Sequence, residues 1–230
     1  FIKELDMSRT KINFENFFII NNLTNLLGLD LSYNKINRSI LLNLNLIRSK
    51  ELKRLILIGI GLTSNDSIKF LDNFESLEEF DISDNTFRKD DGKFMQNSLN
   101  LVFLKLKNCS IEQIDYSFLD LYSLRLLKYL DLSYNKIKKI SFYNFPNSLK
   151  FLNISHNNIS IITLPNYDIH IHSLDFSFNR LTSFISSMID KLIINSNSLN
   201  EIFCYGDNKN YKFMNSSSLR HHHLQERHFF

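Results

Sequence analysis

The sequence predicts an α/β fold built as a solenoid: a right-handed coil with a curved parallel β-sheet on its concave face and loops with short helical turns on its convex face. Three observations point there. An eleven-residue pattern, L-x-x-L-x-L-x-x-N-x-L, recurs along the chain, and its copies at 26–36 and 127–137 are nearly identical. Copies begin at Ile2, Leu26, Leu52, Leu77, Leu101, Leu127, Leu149, Ile171 and Ile189, with successive starts 24, 26, 25, 24, 26, 22, 22 and 18 residues apart. Within each copy apolar residues alternate with outward-facing ones, the two-residue period of a half-buried strand. Stacked neighbours then bury a continuous core that no single copy buries alone.

Taken in chain order, strands are expected at Leu5–Met7, Leu29–Leu31, Leu55–Leu57, Phe80–Ile82, Leu104–Leu106, Leu130–Leu132, Leu152–Ile154, Leu174–Phe176 and Leu192–Ile194, all parallel. The array fills 1–205, and 206–230, rich in Asn, Ser and His, fit no copy and are expected as an irregular tail. The chain starts inside a repeat, so it is expected to be N-terminally truncated. Its end strands would then lack a polar cap and leave backbone edges open, a route to oligomers or aggregation.

Composition excludes several functional classes. The chain has 230 residues, 43% of them hydrophobic, which is enough apolar material for a folded array and excludes native disorder. Its 27 basic and 24 acidic residues are spread along the sequence, so nucleic acid is not an expected partner. The longest run of apolar residues and glycine, 55–62, is far shorter than the ~20 residues of a membrane helix, so no membrane contact by this segment is expected. Five glycines leave no room for a phosphate-binding loop, and no nucleotide or other cofactor is expected. The absence of alanine and the 29 asparagines look like codon bias of an A+T-rich genome.

On the repeated segments quoted above the chain resembles leucine-rich repeat proteins, and all steps but the last fall within the 20 to 29 residues of that class. The segments LDLSYN at 29–34 and 130–135 and LNISHN at 152–157 are most similar to Toll-like receptor ectodomain repeats. The resemblance implies a protein-binding module without catalytic activity, engaging a protein ligand on the concave face of a receptor at the extracellular side of the plasma membrane. An intracellular scaffold or regulator in the cytoplasm is the alternative. In the third repeat Ser64 or Asn65 is expected to cap a short helix with Ile68 and Leu71 inward, and that segment is similar to the helix-bearing repeats of intracellular leucine-rich repeat proteins, so the array is mixed and the compartment left open. No cysteine-rich cap is visible, which fits either truncation or an intracellular home.

The asparagines at the ninth pattern position (Asn34, Asn85, Asn135, Asn157, Asn179 and Asn197) are expected to form a ladder of buried amides bonded to backbone. Thr10 and Cys109 replace two of them with hydrogen-bonding capacity retained; Ile60, between Gly59 and Gly61, leaves a gap and an expected local kink or water. In the fifth repeat Ile111, Ile114, Phe118, Leu121 and Leu124 are expected to fill the convex side. Cys109 and Cys204 lie about four repeats apart, too far to bridge.

Function is expected on outward strand positions. The fifth position carries Asp6, Asp30, Asp81, Asp131 and Asp175, readable as an acidic stripe or as ordinary filler of this repeat. The third position carries Phe103, Tyr129 and Phe151, and the eighth carries Tyr134, His156 and Phe178. With Lys128 and Lys150 at the edge, these six rings are the candidate ligand-binding patch, since contiguous exposed aromatic surface marks interfaces. The competing reading is packing of rings on their neighbours in a Phe-rich chain. Seven Asn-x-Ser/Thr sequons, at Asn22, Asn37, Asn65, Asn108, Asn153, Asn158 and Asn215, barely exceed chance, and Asn108 and Asn153 fall on the sheet. His221, His222, His223 and His228 lack a ligand set with metal spacing, so no metal is expected. No catalytic constellation is present.

Overall fold

In a computed structural model the chain folds into a parallel-stranded solenoid. The structure describes residues 2–12, 20, 22–35, 49–63, 74–87, 100–115, 119–165 and 170–180, together with the backbone of 201–204 and 211–214. One strand comes from each repeat: β1 (Glu4–Asp6), β2 (Gly28–Asp30), β3 (Arg54–Ile56), β4 (Glu79–Asp81), β5 (Phe103–Lys105), β6 (Tyr129–Asp131), β8 (Phe151–Asn153) and β10 (Ser173–Asp175). They pair side by side and in parallel, with Leu5, Leu29, Leu55, Phe80, Leu104, Leu130, Leu152 and Leu174 in register.

Each of these strands lies one residue upstream of its expected position. The reason is the asparagine ladder. At the sixth pattern position the N–H still joins the sheet, as Leu31 N donates to Ile56 O at 2.9 Å, but the carbonyl turns to an amide, as Asn34 Nδ2 donates to Leu31 O at 2.9 Å. At the other end the third-position N–H already bonds across, Gly28 N to Lys3 O at 3.0 Å, so pairing starts early.

Two further departures lie beyond the main stack. The strand beside β10 is β11 (Glu201–Cys204), with Leu174 opposite Ile202, and not 192–194, which lie outside the described residues. The register places a repeat start at Leu199, 28 residues after Ile171, and the 18-residue step to Ile189 is replaced by one of ordinary length. β12 (Tyr211–Met214) then pairs antiparallel to β11, within the segment expected to be an irregular tail. The edge expected to stand open at this end is therefore not open: the hairpin pairs β12 along the last parallel strand. In the return segments β7 (Lys139–Ser141) and β9 (Ile161–Thr163) form a small parallel sheet. Their alternation, with Ile140 and Ile162 buried, carries a strand signal outside the eleven-residue pattern.

The core is the set of template columns. Leu26, Leu52, Leu77, Leu101 and Leu127 at the first position are fully buried, as are Leu31, Leu57, Ile82, Leu106, Leu132, Ile154 and Phe176 at the sixth. On the return side Ile111, Ile114, Leu121 and Leu124 are buried as expected, while Phe118 and the expected helix at 64–71 lie outside the described residues. Short 3-10 turns stand at Leu121–Ser123, where Asp120 Oδ1 accepts from Ser123 N, and at Phe142–Asn144. In the first repeat Leu5 and Met7 are only partly buried, because one neighbouring strand covers them instead of two.

Candidate binding face

The chain leaves β1–β6, β8 and β10 through turns of one kind, and that turn decides where the outward side chains stand. At the fifth position a carboxylate or amide oxygen accepts from the backbone N–H two residues on: Asp6 from Ser8, Asp30 from Ser32, Asp81 from Ser83, Asp131 from Ser133, Asn153 from Ser155 and Asp175 from Ser177, all between 2.8 and 3.1 Å. These bonds supply the structural role of the aspartate column. That bond is also the main reason the Asp6 carboxyl lies below its ordinary pKa.

Three residues further on, at the eighth position, each of the first eight repeats takes a left-handed backbone: Arg9, Tyr33, Gly59, Asp84, Asn108, Tyr134, His156 and Phe178, with φ between 52° and 58°. Such a φ costs roughly 1–2 kcal/mol for a side chain other than glycine. Stacking offsets this cost, because each eighth-position N–H donates to the next repeat's seventh-position carbonyl, from Arg9 to Ser32 O through to His156 to Ser177 O.

The asparagine column behaves as expected where it is present. Asn135 Nδ2 donates to Leu106 O and Leu132 O at 2.8 and 2.9 Å, and its Oδ1 accepts from Cys109 N and Ile111 N at 3.0 Å. Cys109 takes over part of the role, its Sγ lying 3.3 Å from Ile82 O, and burial pushes its thiol up to about 12. Thr10 Oγ1 donates to Met7 O. Where asparagine is replaced, at Thr10, Ile60 and Cys109, the following residue also turns left-handed: Lys11, Gly61 and Ser110. Gly59 and Gly61 thus bracket Ile60 because both flanks of that turn need positive φ. Asn197 lies outside the described residues.

The candidate rings fall into two rows, and not the single patch expected. The third-position row runs Phe103, Tyr129, Phe151 across β5, β6 and β8, with centroids 6.1 and 6.5 Å apart, and continues to His172 at 6.2 Å. Phe103 and Phe151 are each 45% exposed. The eighth-position row, beyond the C-terminal ends of the strands, runs Tyr134, His156, Phe178, stacked at 4.1 and 4.2 Å. Among the described residues no ring of one row touches a ring of the other. Four residues of chain separate them in each repeat, and the row of Lys105, Asp131, Asn153 and Asp175 stands between. Lys128 and Lys150 border the first row; Lys128 is exposed and Lys150 Nζ donates to His170 O at 3.2 Å. His172 and Lys107, whose Nζ lies 5.0 Å from the Tyr134 centroid, belong to these rows and were missed. Reading the second and seventh columns together with the ring columns would have found both.

The other half of the same sheet face is polar. Arg54 on β3 reaches across Gly28 on β2 to Glu4 on β1 at 2.6 Å, Lys53 pairs with Glu78 at 2.8 Å, and Lys105 lies between Asp81 at 3.6 Å and Glu79 at 3.9 Å. A Cβ on Gly28 would stand inside the Glu4 carboxylate, so the crossing needs glycine there.

Comparison with known proteins bears on the fold. The family model described as leucine rich repeats (two copies) matches residues 125–166, the sixth and seventh repeats. The fold is a leucine-rich repeat solenoid. Among solved structures the leucine-rich repeat domain of APL1B is similar with TM-score 0.62 and 17% identity, over 88% of this chain and 54% of that one. Internalin C2 of Listeria monocytogenes gives TM-score 0.61 and 19% identity, over 87% of this chain and 80% of that one. A leucine-rich repeat protein of Leptospira interrogans gives 0.59 and 19%, over 95% and 58%. The chain thus spans about half the length of the APL1B domain. No curated protein sequence matches it. Leucine-rich repeats imply a protein-binding module, and the fold is typically an interaction scaffold without catalytic activity.

Proposed function

We propose that the chain binds a protein partner through the outward face of β5, β6 and β8, and that it does so as the ligand-recognition part of a cell-surface receptor of Toll-like type, on the extracellular side of the plasma membrane. The observation that carries the binding reading is the ring row Phe103, Tyr129, Phe151 on three adjacent strands, with Phe103 and Phe151 exposed, Tyr129 half-buried between them and the backbone fixed by the sheet. Rigid aromatic side chains on a fixed scaffold bury large area at small entropic cost, which is why they dominate interface energetics. The receptor reading is supported by the LDLSYN and LNISHN segments.

Quantitative affinity capture from the source cells tests the binding reading. The wild-type chain, the Phe103→Ser/Phe151→Ser double variant and an Arg54→Ala control are compared. A partner held by wild type and the control but lost about 30-fold or more with the double variant supports the site, hot-spot aromatics costing about 2 kcal/mol or more each. Equal capture by all three moves the site elsewhere. Surface biotinylation of intact cells tests the location: labelling supports the receptor reading, and recovery only from cytoplasm supports the intracellular scaffold instead.

A further inference from the structure

Between the two ring rows lies a row of carboxylates whose charge the fold does not require. In the exit turn each fifth-position side chain needs only one oxygen, and Asn153 meets that need with its amide, accepting from Ser155 N at 3.0 Å as Asp131 accepts from Ser133 N at 2.8 Å. The negative charges of Asp131 and Asp175 are therefore surplus to the turn. Among the described residues neither forms an ion pair, whereas Asp81, in the same column, receives Lys105 at 3.6 Å. Asp131 lies two residues beyond Tyr129 on the same face of β6. Burial and then the charges of Asp131 and Asp81 raise the Tyr129 hydroxyl above its ordinary pKa, which places that ring in the field of both carboxylates.

The rings on the far side already hold a cation: Lys107 Nζ lies 5.0 Å from the centroid of Tyr134, within cation–π range. The chain thus contains, as contacts with itself, both elements of a recognition mode, a lysine on a fifth-position aspartate and an ammonium on an eighth-position ring. We infer that the face spanning β6, β8 and β10 takes a basic segment of the partner protein, with Lys or Arg side chains over Asp131 and Asp175 and their apolar stems between the ring rows. The inference rests on the reading of this face as the binding face. Lys105, beside Asp131 in register, is held by Asp81 and Glu79. Lys128 and Lys150, on the outer side of the first ring row, repel basic groups and so confine them to the acidic row.

The test uses the full 230-residue chain and three end-blocked peptides of equal length and leucine content, differing only in carrying arginine, glutamine or glutamate. Binding is read by fluorescence anisotropy at low and high salt. The arginine peptide is expected to bind at least about tenfold tighter than the glutamine peptide, with the preference shrinking as salt screens it. Asp131→Asn with Asp175→Asn is expected to abolish the preference while leaving glutamine-peptide affinity unchanged. Because Asn153 shows that asparagine serves this turn, the variant should keep its wild-type melting temperature. Phe103→Ser with Phe151→Ser should weaken all three peptides. Equal binding of arginine and glutamine peptides, tightest binding of the glutamate peptide, or no binding of the arginine peptide overturns the basic-segment inference. If ring variants bind every peptide like wild type, it is the binding-face reading that falls.

Discussion

The sheet face has two halves on one backbone. Across β1–β4 the third position reads Glu4, Gly28, Arg54, Glu79; Arg54 pairs with Glu4 across Gly28, and Glu79 pairs with Lys105 of β5. Across β5, β6 and β8 it reads Phe103, Tyr129, Phe151, and the side chains line up as a row of rings, Phe103 and Phe151 exposed and Tyr129 half-buried. Beneath both halves lie the same leucine columns and the same exit turn. The core therefore places no constraint on the third position, and the halves differ because nothing structural selects the outward residue. In the polar half the ion pairs lie within the sheet face: Arg54 answers Glu4 across β2, Lys53 answers Glu78, and Lys105 of β5 answers Glu79 and Asp81. The aromatic half leaves apolar surface in water, and that is the half with something to gain from a partner.

If this comparison holds, core substitutions should cost alike in both halves. Leu55→Ala under the polar half and Leu130→Ala under the aromatic half, both 0% exposed, are each expected to lose roughly 2–5 kcal/mol. Chemical denaturation measures it, and a cost confined to one half would show that the two do not share a continuous core. Next in size is the ladder. Asn135→Ala strands two buried backbone N–H groups and the Leu106 carbonyl, Leu132 O keeping its bond from Asn157 Nδ2, an expected loss of about 3 kcal/mol by the same measurement. A loss below about 1 kcal/mol would mean that the leucine columns alone hold the turn.

Charge pairs should matter least. Arg54→Ala is expected to cost under about 1 kcal/mol and to lose its effect in high salt, since both partners are about half exposed. Gly28→Ala should displace Glu4 from Arg54 with a similarly small change in melting temperature, the obstructing atoms being the end of a flexible side chain. Cys109 sharpens the picture from inside the core. Its thiol pKa is raised from the ordinary 9.0 to about 12, so its contribution to stability is fully present below pH 9 and is lost as pH rises toward 12. In a Cys204→Ser background, thiol reagents should label Cys109 only on unfolding. Fast labelling of the native chain would contradict its burial.

The sequence shows the columns plainly because burial enforces them: a leucine that faces the core in one repeat must face it in all. The asparagine ladder is legible for the same reason. What lies outside the template is harder to read. The strand bounds slipped by one residue because a side-chain amide, Asn34 or Asn135, takes a carbonyl that the alternation assigns to the sheet. Leu199 is hard to read as a repeat start because its sixth and ninth positions are Cys204 and Asp207, where the pattern asks for a large apolar residue and asparagine. Grouping the six rings into one patch failed because the eighth position belongs to the turn and not to the strand, and a two-residue period says nothing about a left-handed turn.

The claim that recognition belongs to the aromatic half is tested most directly by placing a photo-reactive phenylalanine analogue at position 129 and, separately, at position 54 of the full chain in its source cells. Irradiation is expected to give a discrete protein adduct from 129 and none from 54. An adduct from 54 alone, or equal adducts from both, would contradict the division of the face into a self-satisfied half and a recognising one.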